Sequence, residues 1–196
     1  MHRRRFATMA VVAPLWLALP ARVRGQEEVA MATPAVNPET YDMVVTRRFE
    51  APVDRVWRAW SDAEDVKRWW GPEGFTAPVA EIDFREGGTS LVCMRSPEGQ
   101  DLCNTWTYTD IVPMERIAFV QRFADEDGNA IAPTDVGLPA EIPAEVPHVI
   151  TFAALDDDTT ELTVSEFGYP VEWIVEVSRA GMNDCLDKME ALVAGD

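Results

Sequence analysis

The sequence predicts an α+β fold in which a curved antiparallel sheet wraps around a long C-terminal helix. Seven stretches are rich in β-branched and aromatic residues, and short turns join most of them, which favours antiparallel pairing. Two short helices are expected after the first strand. The last element is a long amphipathic helix, and its apolar face must cover the sheet because no other element remains to do so.

The strands are predicted from alternating apolar and polar residues between turn signals such as Glu86-Gly87-Gly88 and Pro97-Glu98-Gly99. In the first strand, Val45 and Phe49 share one face. The predicted strands are 43–50, 75–84, 89–95, 102–112, 116–123, 148–155 and 160–167.

The two short helices are predicted over Val53–Trp60 and Ala63–Trp70. Ser61-Asp62 offers an N-cap to the second helix, and Gly71-Pro72 ends it. In the C-terminal helix, apolar or small residues recur every three or four positions over about six turns. They are Val171, Ile174, Val175, Ser178, Met182, Cys185, Leu186, Met189, Leu192 and Val193.

Residues 1–25 have the pattern of a bacterial export signal. Arg3-Arg4-Arg5 precedes a short apolar stretch, Val11–Leu19, and cleavage is expected before Gln26. The arginines followed by Phe6 resemble the twin-arginine consensus, which implies export of a folded protein. Ordinary secretory export or a retained anchor are the alternatives. We therefore expect a periplasmic or secreted protein, with a linker at 26–41 and one domain at 42–196.

The charge of the chain excludes two classes of partner. The formal net charge is −17, and after the first 25 residues the chain carries 12 basic and 34 acidic residues. A strongly negative field repels phosphate backbones and anionic lipid headgroups. We expect no binding to nucleic acid, and none to membranes once the signal is removed.

Two stretches resemble a known family. Residues 51–88 (APVDRVWRAWSDAEDVKRWWGPEGF, then TAPVAEIDFREGG) and 94–123 are similar to the SRPBCC (START-like, Bet v-type) superfamily. Within it they resemble the AHSA type, named after the activator of heat-shock protein 90 ATPase. The most specific pieces are Trp69-Trp70-Gly71-Pro72 and Asp83 with Gly87-Gly88, and the resemblance runs from about residue 43 to 194. It implies a helix-grip fold whose cavity holds apolar ligands in many relatives, but no single activity.

The expected ligand site is a cavity between the inward faces of the strands and the stripe of the last helix. Its candidate lining residues are Val92, Met94, Trp106, Tyr108, Phe119, Phe152, Ile174, Ser178, Met182 and Met189. The alternative is that these side chains simply fill the core. The stretch 124–147 is long, rich in proline and dotted with apolar residues, so we expect a flap at the mouth of the cavity.

Cys93 and Cys103 are candidates for a cross-strand disulfide. They lie five residues to either side of Glu98, so a hairpin symmetric about that residue places them opposite each other. Their face is expected to be the outer one, which predicts a surface disulfide suited to an oxidising compartment.

No catalytic or metal-binding set is visible in the sequence. His148 is the only histidine after the leader and is expected to be paired locally or solvated. Carboxylate pairs occur by chance in so acidic a chain: Glu81 and Asp83 share a strand face, and Glu161 and Glu166 bracket another strand. Solvated side chains are the expectation for all four. One histidine and scattered cysteines give no zinc-ligand spacing, so no catalytic residue, metal or cofactor is predicted.

These observations favour an exported domain that binds a small apolar or amphipathic molecule without catalysis. The first alternative is a cavity enzyme of cyclase or hydrolase type that uses an inward carboxylate or Tyr108. The second is an AHSA-like co-chaperone or stress-response interaction module. A periplasm holds no ATP, so the second alternative requires that the signal is not used. No protein partner can be named from the sequence.

Overall fold

Seven antiparallel strands form a single sheet in the computed structural model, which describes residues 40–195. The spatial order of the strands is β1-β7-β6-β5-β4-β3-β2. The strands are β1 (Tyr41–Phe49), β2 (Thr76–Glu81), β3 (Thr89–Arg95), β4 (Asp101–Val112), β5 (Arg116–Ala124), β6 (Glu145–Ala154) and β7 (Thr160–Tyr169).

The helices are α1 (Val53–Ser61), α2 (Ala63–Trp69) and α3 (Glu172–Val193), with a 3-10 turn at Pro133–Val136. This arrangement confirms the predicted α+β helix-grip fold. Within residues 40–195, no helix has both the length and the apolar character needed to cross a membrane.

The N-terminal predictions fall almost entirely outside this part of the chain. The export signal at 1–25 and residues 26–39 of the predicted linker lie outside the described residues. The described part begins at Thr40, and β1 already starts at Tyr41, one residue before the predicted start of the domain.

Side chains at the helix ends hold the three helices together. Asp62 caps α2, accepting from the backbone N–H of Glu64 and of Asp65 at 3.0 Å each. The buried Asp65 pairs with Arg55 at 2.9 Å, and Arg55 also donates to the backbone carbonyl of Leu192 at 3.1 Å. These bonds connect α1 to both α2 and α3, and so fix the frame on which the long helix rests.

An aromatic core lies between the sheet and the helices. The rings of Trp60 and Trp69 lie 4.7 Å apart, and Trp70 meets Trp106 edge-on at 4.8 Å. The indole N–H of Trp69 donates to the carbonyl of Ala59 at 2.7 Å. The tryptophan-rich helices are therefore packing elements of the core, where each aromatic side chain buries a large apolar area.

The β3–β4 hairpin has the predicted register, and the structure contains the Cys93–Cys103 disulfide, with an S–S distance of 2.04 Å. The prediction that this bond lies on the surface was wrong, because the two cysteines are only 2% and 4% exposed. Ala124 lies beside Cys103 in the ladder, and the chain then folds back so that Ala130 bridges to Ala124. Residues 125–129 thus form a tight turn at the end of β5.

The long segment between β5 and β6 has two parts with different positions. Its first part lies against the outer face, where a Cβ on Gly128 would be 4.0 Å from the Thr105 methyl. Its second part carries Leu138 and Ile142 to the opposite side of the sheet, where they border a depression beside α3. The second part therefore occupies the position expected of a flap at a cavity mouth.

Candidate ligand-binding site

A cavity of about 180 Å³ lies between the middle of α3 and the inner face of the sheet, closed on one side by the segment that follows α2. Most of its wall is apolar. It is lined by Trp70, Gly71, Pro72, Met94, Gln121, Glu166, Tyr169, Ser178, Gly181, Met182 and Cys185.

Position along each element explains which side chains reach the cavity. Ser178, Gly181, Met182 and Cys185 recur at spacings of three and four, so they share one face of α3. Gly71 adopts a φ of +99°, which favours glycine, and its carbonyl accepts from the Lys188 ammonium at 2.7 Å. That bond holds the segment after α2 against α3.

Glu166 contributes a buried carboxylate to the wall of this cavity. It is only 3% exposed and lies on the inward face of β7, two residues after Val164. Its Oε2 atom accepts short hydrogen bonds from the hydroxyls of Tyr169 and Ser178. The expectation of a solvated Glu166 was therefore wrong, because strand alternation directs its side chain into the core.

A β-bulge brings Tyr169 to the same side of the sheet as Glu166. The two residues are three positions apart, so in a regular strand they would point to opposite faces. Opposite these two residues, β1 advances by only two positions, from Met43 to Tyr41. Gly168, with φ of +85°, provides the irregular backbone within the bulge. The bulge re-aims the tyrosine hydroxyl so that it meets both Glu166 and, at 3.3 Å, Ser178 of α3.

His148 lies behind the carboxylate and does not line the cavity. It faces Glu166 directly across the β6–β7 ladder, with 3.2 Å between Nε2 and Oε1. Its Nδ1 lies 2.9 Å from the backbone carbonyl of Val146, and its ring stacks on Phe119. His148 is paired locally, as one of the two expectations had it, but it is buried and not solvated.

The hydrogen bonds around Glu166 favour its ionised form. Burial alone would raise the pKa of Glu166, but the hydrogen bond and charge of His148 and the bonds from Ser178 and Tyr169 together lower the pKa below its ordinary value. A carbonyl can only accept, so Nδ1 of His148 carries a proton. The Nε2 atom of His148 and the carboxyl group of Glu166 form a buried polar pair.

Two buried polar atoms beside the cavity have no hydrogen-bond partner within the described part of the chain. One is Oε1 of Gln121, which lies on β5 two residues after the inward-facing Phe119; the other is the indole N–H of Trp70. The first is an acceptor and the second a donor, and both residues line the cavity.

A second, more apolar space of about 230 Å³ adjoins the cavity. The two share Met94, Gln121, Tyr169 and Ser178. The remaining lining residues are Leu102, Phe123, Leu138, Ile142, Val146, Ile174 and Val177. We call this space the apolar mouth.

The structure divides the ten predicted lining residues into two groups. Met94, Ile174, Ser178 and Met182 line the cavity or the apolar mouth. The other six are packed in the core and line neither space: Val92, Trp106, Tyr108, Phe119, Phe152 and Met189. Among residues 40–195, no group of three or more His, Cys, Asp or Glu side chains is placed to hold a metal ion.

Of the polar side chains of the site, sequence reasoning selected Ser178 and missed Gln121, Tyr169 and the buried position of Glu166, although one signal was present. Glu166 keeps the alternation of Leu162 and Val164, and His148 that of Ile150 and Phe152. A polar residue at an inward position of a strand is either paired or functional. Applied to β6 and β7, that rule selects both His148 and Glu166.

The profile of one family matches residues 50–194: the family described as Activator of Hsp90 ATPase homolog 1-like protein. This chain belongs to that family. The match starts at the end of β1 and includes every later element through α3. No protein of curated function matches the sequence.

Solved structures of several similar proteins have the same architecture. A protein from Chromobacterium violaceum is 28% identical, with a TM-score of 0.64 over 79% of this chain and 98% of that one. One from Mycobacterium smegmatis is 26% identical, with a TM-score of 0.63 over 80% and 93%. The AHSA1 protein from Silicibacter pomeroyi, 20% identical with a TM-score of 0.64 over 79% and 98%, supports the fold alone. The AHSA1 fold is, in general terms, that of a ligand-binding-type domain.

Proposed function

We propose that this AHSA1-type domain is exported and binds a small apolar or amphipathic molecule between α3 and the sheet, without catalysis. The observation that carries this proposal is the cavity, with the buried Glu166 carboxylate in its wall and the apolar mouth beside it. Small-molecule sites are typically apolar clefts with a few convergent polar groups, and this one has that composition.

The size of the two spaces limits the ligand. Each is smaller than the roughly 300 Å³ at which drug-sized sites begin, but the two lie side by side and share four lining residues. An elongated molecule of about ten heavy atoms suits such a shape. Met94 and Met182 supply flexible thioether chains that can adapt to it.

The chemistry of the polar groups favours binding over catalysis. A carboxylate whose pKa lies below its ordinary value is a weak general base at neutral pH, and this is the condition of Glu166. Tyr108, the other candidate for a cavity enzyme, bonds to Ser90 at 3.0 Å within the core, and burial raises its pKa to about 12. The enzyme alternative therefore rests on Glu166 alone.

Native mass spectrometry of the protein isolated from the cells that produce it tests the proposal. We expect a co-purifying small molecule, released on denaturation. A Cβ on Gly181 would meet no atom within 4 Å, so Gly181→Leu extends a side chain into open space beside the cavity and should abolish the adduct. Ala180→Leu, on the exposed side of α3, is the matched control and should retain it. A folded wild-type protein without ligand, unable to take up hydrophobic probes, would contradict the proposal.

Export is tested separately from binding. We expect the protein in the periplasmic fraction with residues 1–25 removed, and Arg3→Lys with Arg4→Lys and Arg5→Lys should retain it in the cytoplasm. A cytosolic protein that keeps its first 25 residues would instead favour the co-chaperone alternative suggested by the family's name. Intact-mass analysis of the two fractions distinguishes these outcomes.

A further inference from the structure

The hydroxyl groups in the wall of the cavity direct their protons at Glu166. Oε2 of this carboxylate accepts short hydrogen bonds from Ser178 and Tyr169, two residues that line both the cavity and the apolar mouth. A hydroxyl group has one proton and two lone pairs, and a carboxylate can only accept. With their protons used in this way, the two hydroxyls present only lone pairs to a ligand. This part of the wall therefore offers hydrogen-bond acceptors and no hydroxyl donor.

The same part of the wall carries a negative charge. Among the described residues that line the cavity and the apolar mouth, Glu166 alone has a charged side chain. Burial alone would raise its pKa, but the hydrogen bonds and the charge around it lower that pKa below its ordinary value, so the carboxylate is ionised at neutral pH. His148, its partner across the ladder, lines neither space, so Glu166 is the member of the pair that faces a bound molecule.

The basic side chains of α3 are engaged elsewhere. The helix contains two of them, and neither lines the cavity or the apolar mouth. Arg179 donates to the backbone carbonyl of Val44 at 2.6 Å. Lys188 donates to the carbonyls of Gly71 and Phe75, at 2.7 and 2.8 Å. An anionic head group would therefore be repelled by the carboxylate in the wall, with no cation among the described lining residues to offset the repulsion.

A protonated amine meets both conditions. An ammonium group donates hydrogen bonds and accepts none, so it can bond to the free lone pairs of Ser178 and Tyr169. Its charge is opposite to that of Glu166, and the attraction is stronger in a space partly removed from water. Glu166 is already desolvated in the folded protein, so only the ammonium group loses water on binding. The 34 acidic and 12 basic residues that follow residue 25 also favour the approach of a cation.

We infer that the ligand is an amphipathic amine, with its ammonium group at the wall formed by Glu166, Ser178 and Tyr169 and its aliphatic part in the apolar mouth. This inference rests on the proposed function, since it specifies the ligand class of that same site. It excludes fatty acids, although their chains would fit the apolar lining equally well.

Three probes of nearly equal size test the inference on the purified protein after removal of any co-purified molecule. They are octylamine, 1-octanol and octanoate, with binding measured at pH 7 by calorimetry or by titration of the α3 amide resonances. An alkylamine, like the side chain of lysine, is protonated at this pH. We expect octylamine to bind at least about tenfold more tightly than octanoate and several-fold more tightly than 1-octanol. If octanoate or 1-octanol binds as tightly as octylamine, the inference is overturned and the proposed function stands. If no probe binds, both fail.

Two variants assign the preference to Glu166. Glu166→Gln removes the negative charge with little change of shape and should reduce the ratio of the octylamine and octanoate affinities by about tenfold or more. Glu161→Gln removes the same charge from the outer face of β7 and should leave the ratio unchanged. A folded Glu166→Gln protein with the wild-type ratio would contradict the placement of the ammonium group. The comparison of probes on the wild type decides the inference even if this variant does not fold.

Discussion

Burying either Glu166 or His148 without a partner would cost free energy, and pairing the two side chains offsets that cost. Their side chains are 4% and 2% exposed, and the hydroxyls of Tyr169 and Ser178 satisfy the second carboxylate oxygen. Such pairs add little net stability compared with apolar residues, so their presence is better explained by the cavity that Glu166 lines.

His148→Leu should lower the free energy of unfolding by about 3–5 kcal/mol, because it leaves the buried carboxylate of Glu166 without the partner on its Oε1 atom. Urea denaturation at pH 7 measures the change. The double variant His148→Leu with Glu166→Leu should recover much of the loss, since two apolar side chains need no pairing. A single variant as stable as the wild type would contradict the importance of this pairing.

The pH dependence of stability should carry the signature of Glu166. Its pKa is lower in the folded protein than in the unfolded chain, where a glutamate has a pKa of about 4.3. Its contribution is therefore complete above that pH and is lost as the pH falls from there through the folded-state pKa. Unfolding curves between pH 6 and pH 3 should show a steeper acid loss for the wild type than for Glu166→Leu, and equal slopes would refute this.

At single positions, the sequence predicted which face of a strand a residue lies on better than whether its side chain is buried or solvated. Alternation correctly assigns Val45 and Phe49 to the buried face of β1. The same alternation puts His148 and Glu166 inside, but average preferences of charged residues favour solvent, and those preferences gave the wrong expectation. A cross-strand partner such as His148↔Glu166 depends on which strands are neighbours, and local pattern does not contain that information.

Among the elements, α3 has one position where the sequence departs from helix preference. Gly181 lies within this 22-residue helix, where glycine is unfavourable relative to alanine. No atom lies within 4 Å of the Cβ that another residue would add. The glycine therefore enlarges the cavity at the expense of helix stability.

Gly181→Ala should raise the free energy of unfolding by about 0.5–1 kcal/mol, because alanine restricts the unfolded chain and its methyl group meets no clash. Thermal unfolding of the ligand-free protein measures the gain. Gly195→Ala, just beyond the last turn of α3, is the control and should give no comparable gain. Destabilisation by Gly181→Ala would show that the space beside this position is filled.

The β3–β4 hairpin depends on its disulfide. Cys93→Ala with Cys103→Ala should lower the free energy of unfolding by about 2–3 kcal/mol, as expected when a bond closing a loop of sequence separation 10 is lost. Denaturation with and without reductant measures it. Cys185→Ala should keep the reductant sensitivity of the wild type, because Cys185 is a free thiol buried in α3. A wild-type protein indifferent to reductant would contradict this.

The elements themselves were predictable because each has a strong local signal. The Pro97-Glu98-Gly99 turn fixed the register of the hairpin, and Asp62 marked the start of α2. Exposure of the disulfide was not predictable in this way. It depends on which other segments pack against the hairpin, such as Ala124 beside Cys103 in the ladder, and nothing in the hairpin encodes their position.

At the scale of the whole molecule, the segment between β5 and β6 begins on the outer face of the sheet and then brings Leu138 and Ile142 to the apolar mouth on the inner side. Leu138→Ser with Ile142→Ser should weaken hydrophobic-ligand binding by about tenfold, because two apolar contacts at the mouth are lost. Stability should change by less than about 1 kcal/mol, since both side chains are only half-buried. Ile131→Ser, in the same segment but away from the mouth, should leave affinity unchanged. Ligand titration tests both.

The candidate site was only partly predictable for a reason that concerns the whole fold. An inward-facing residue can fill the core or line a space, and the difference depends on how far α3 stands from the sheet at that point. Tyr108 and Trp106 lie where the gap is filled by other aromatic rings, and Met94 lies where it is not. The distance between α3 and the sheet depends on all the contacts between them, so the hydrophobic pattern of the sequence does not predict it.

The burial of the disulfide constrains the order of events during maturation. With the cysteines only 2% and 4% exposed, an oxidising enzyme has little access to either sulfur in the finished fold. If the chain is exported already folded, as we propose from its arginine-rich leader, the bond has to form before the hairpin is fully packed, or the packing has to loosen afterwards. Under that export route, oxidation and final packing of the hairpin become successive steps of maturation.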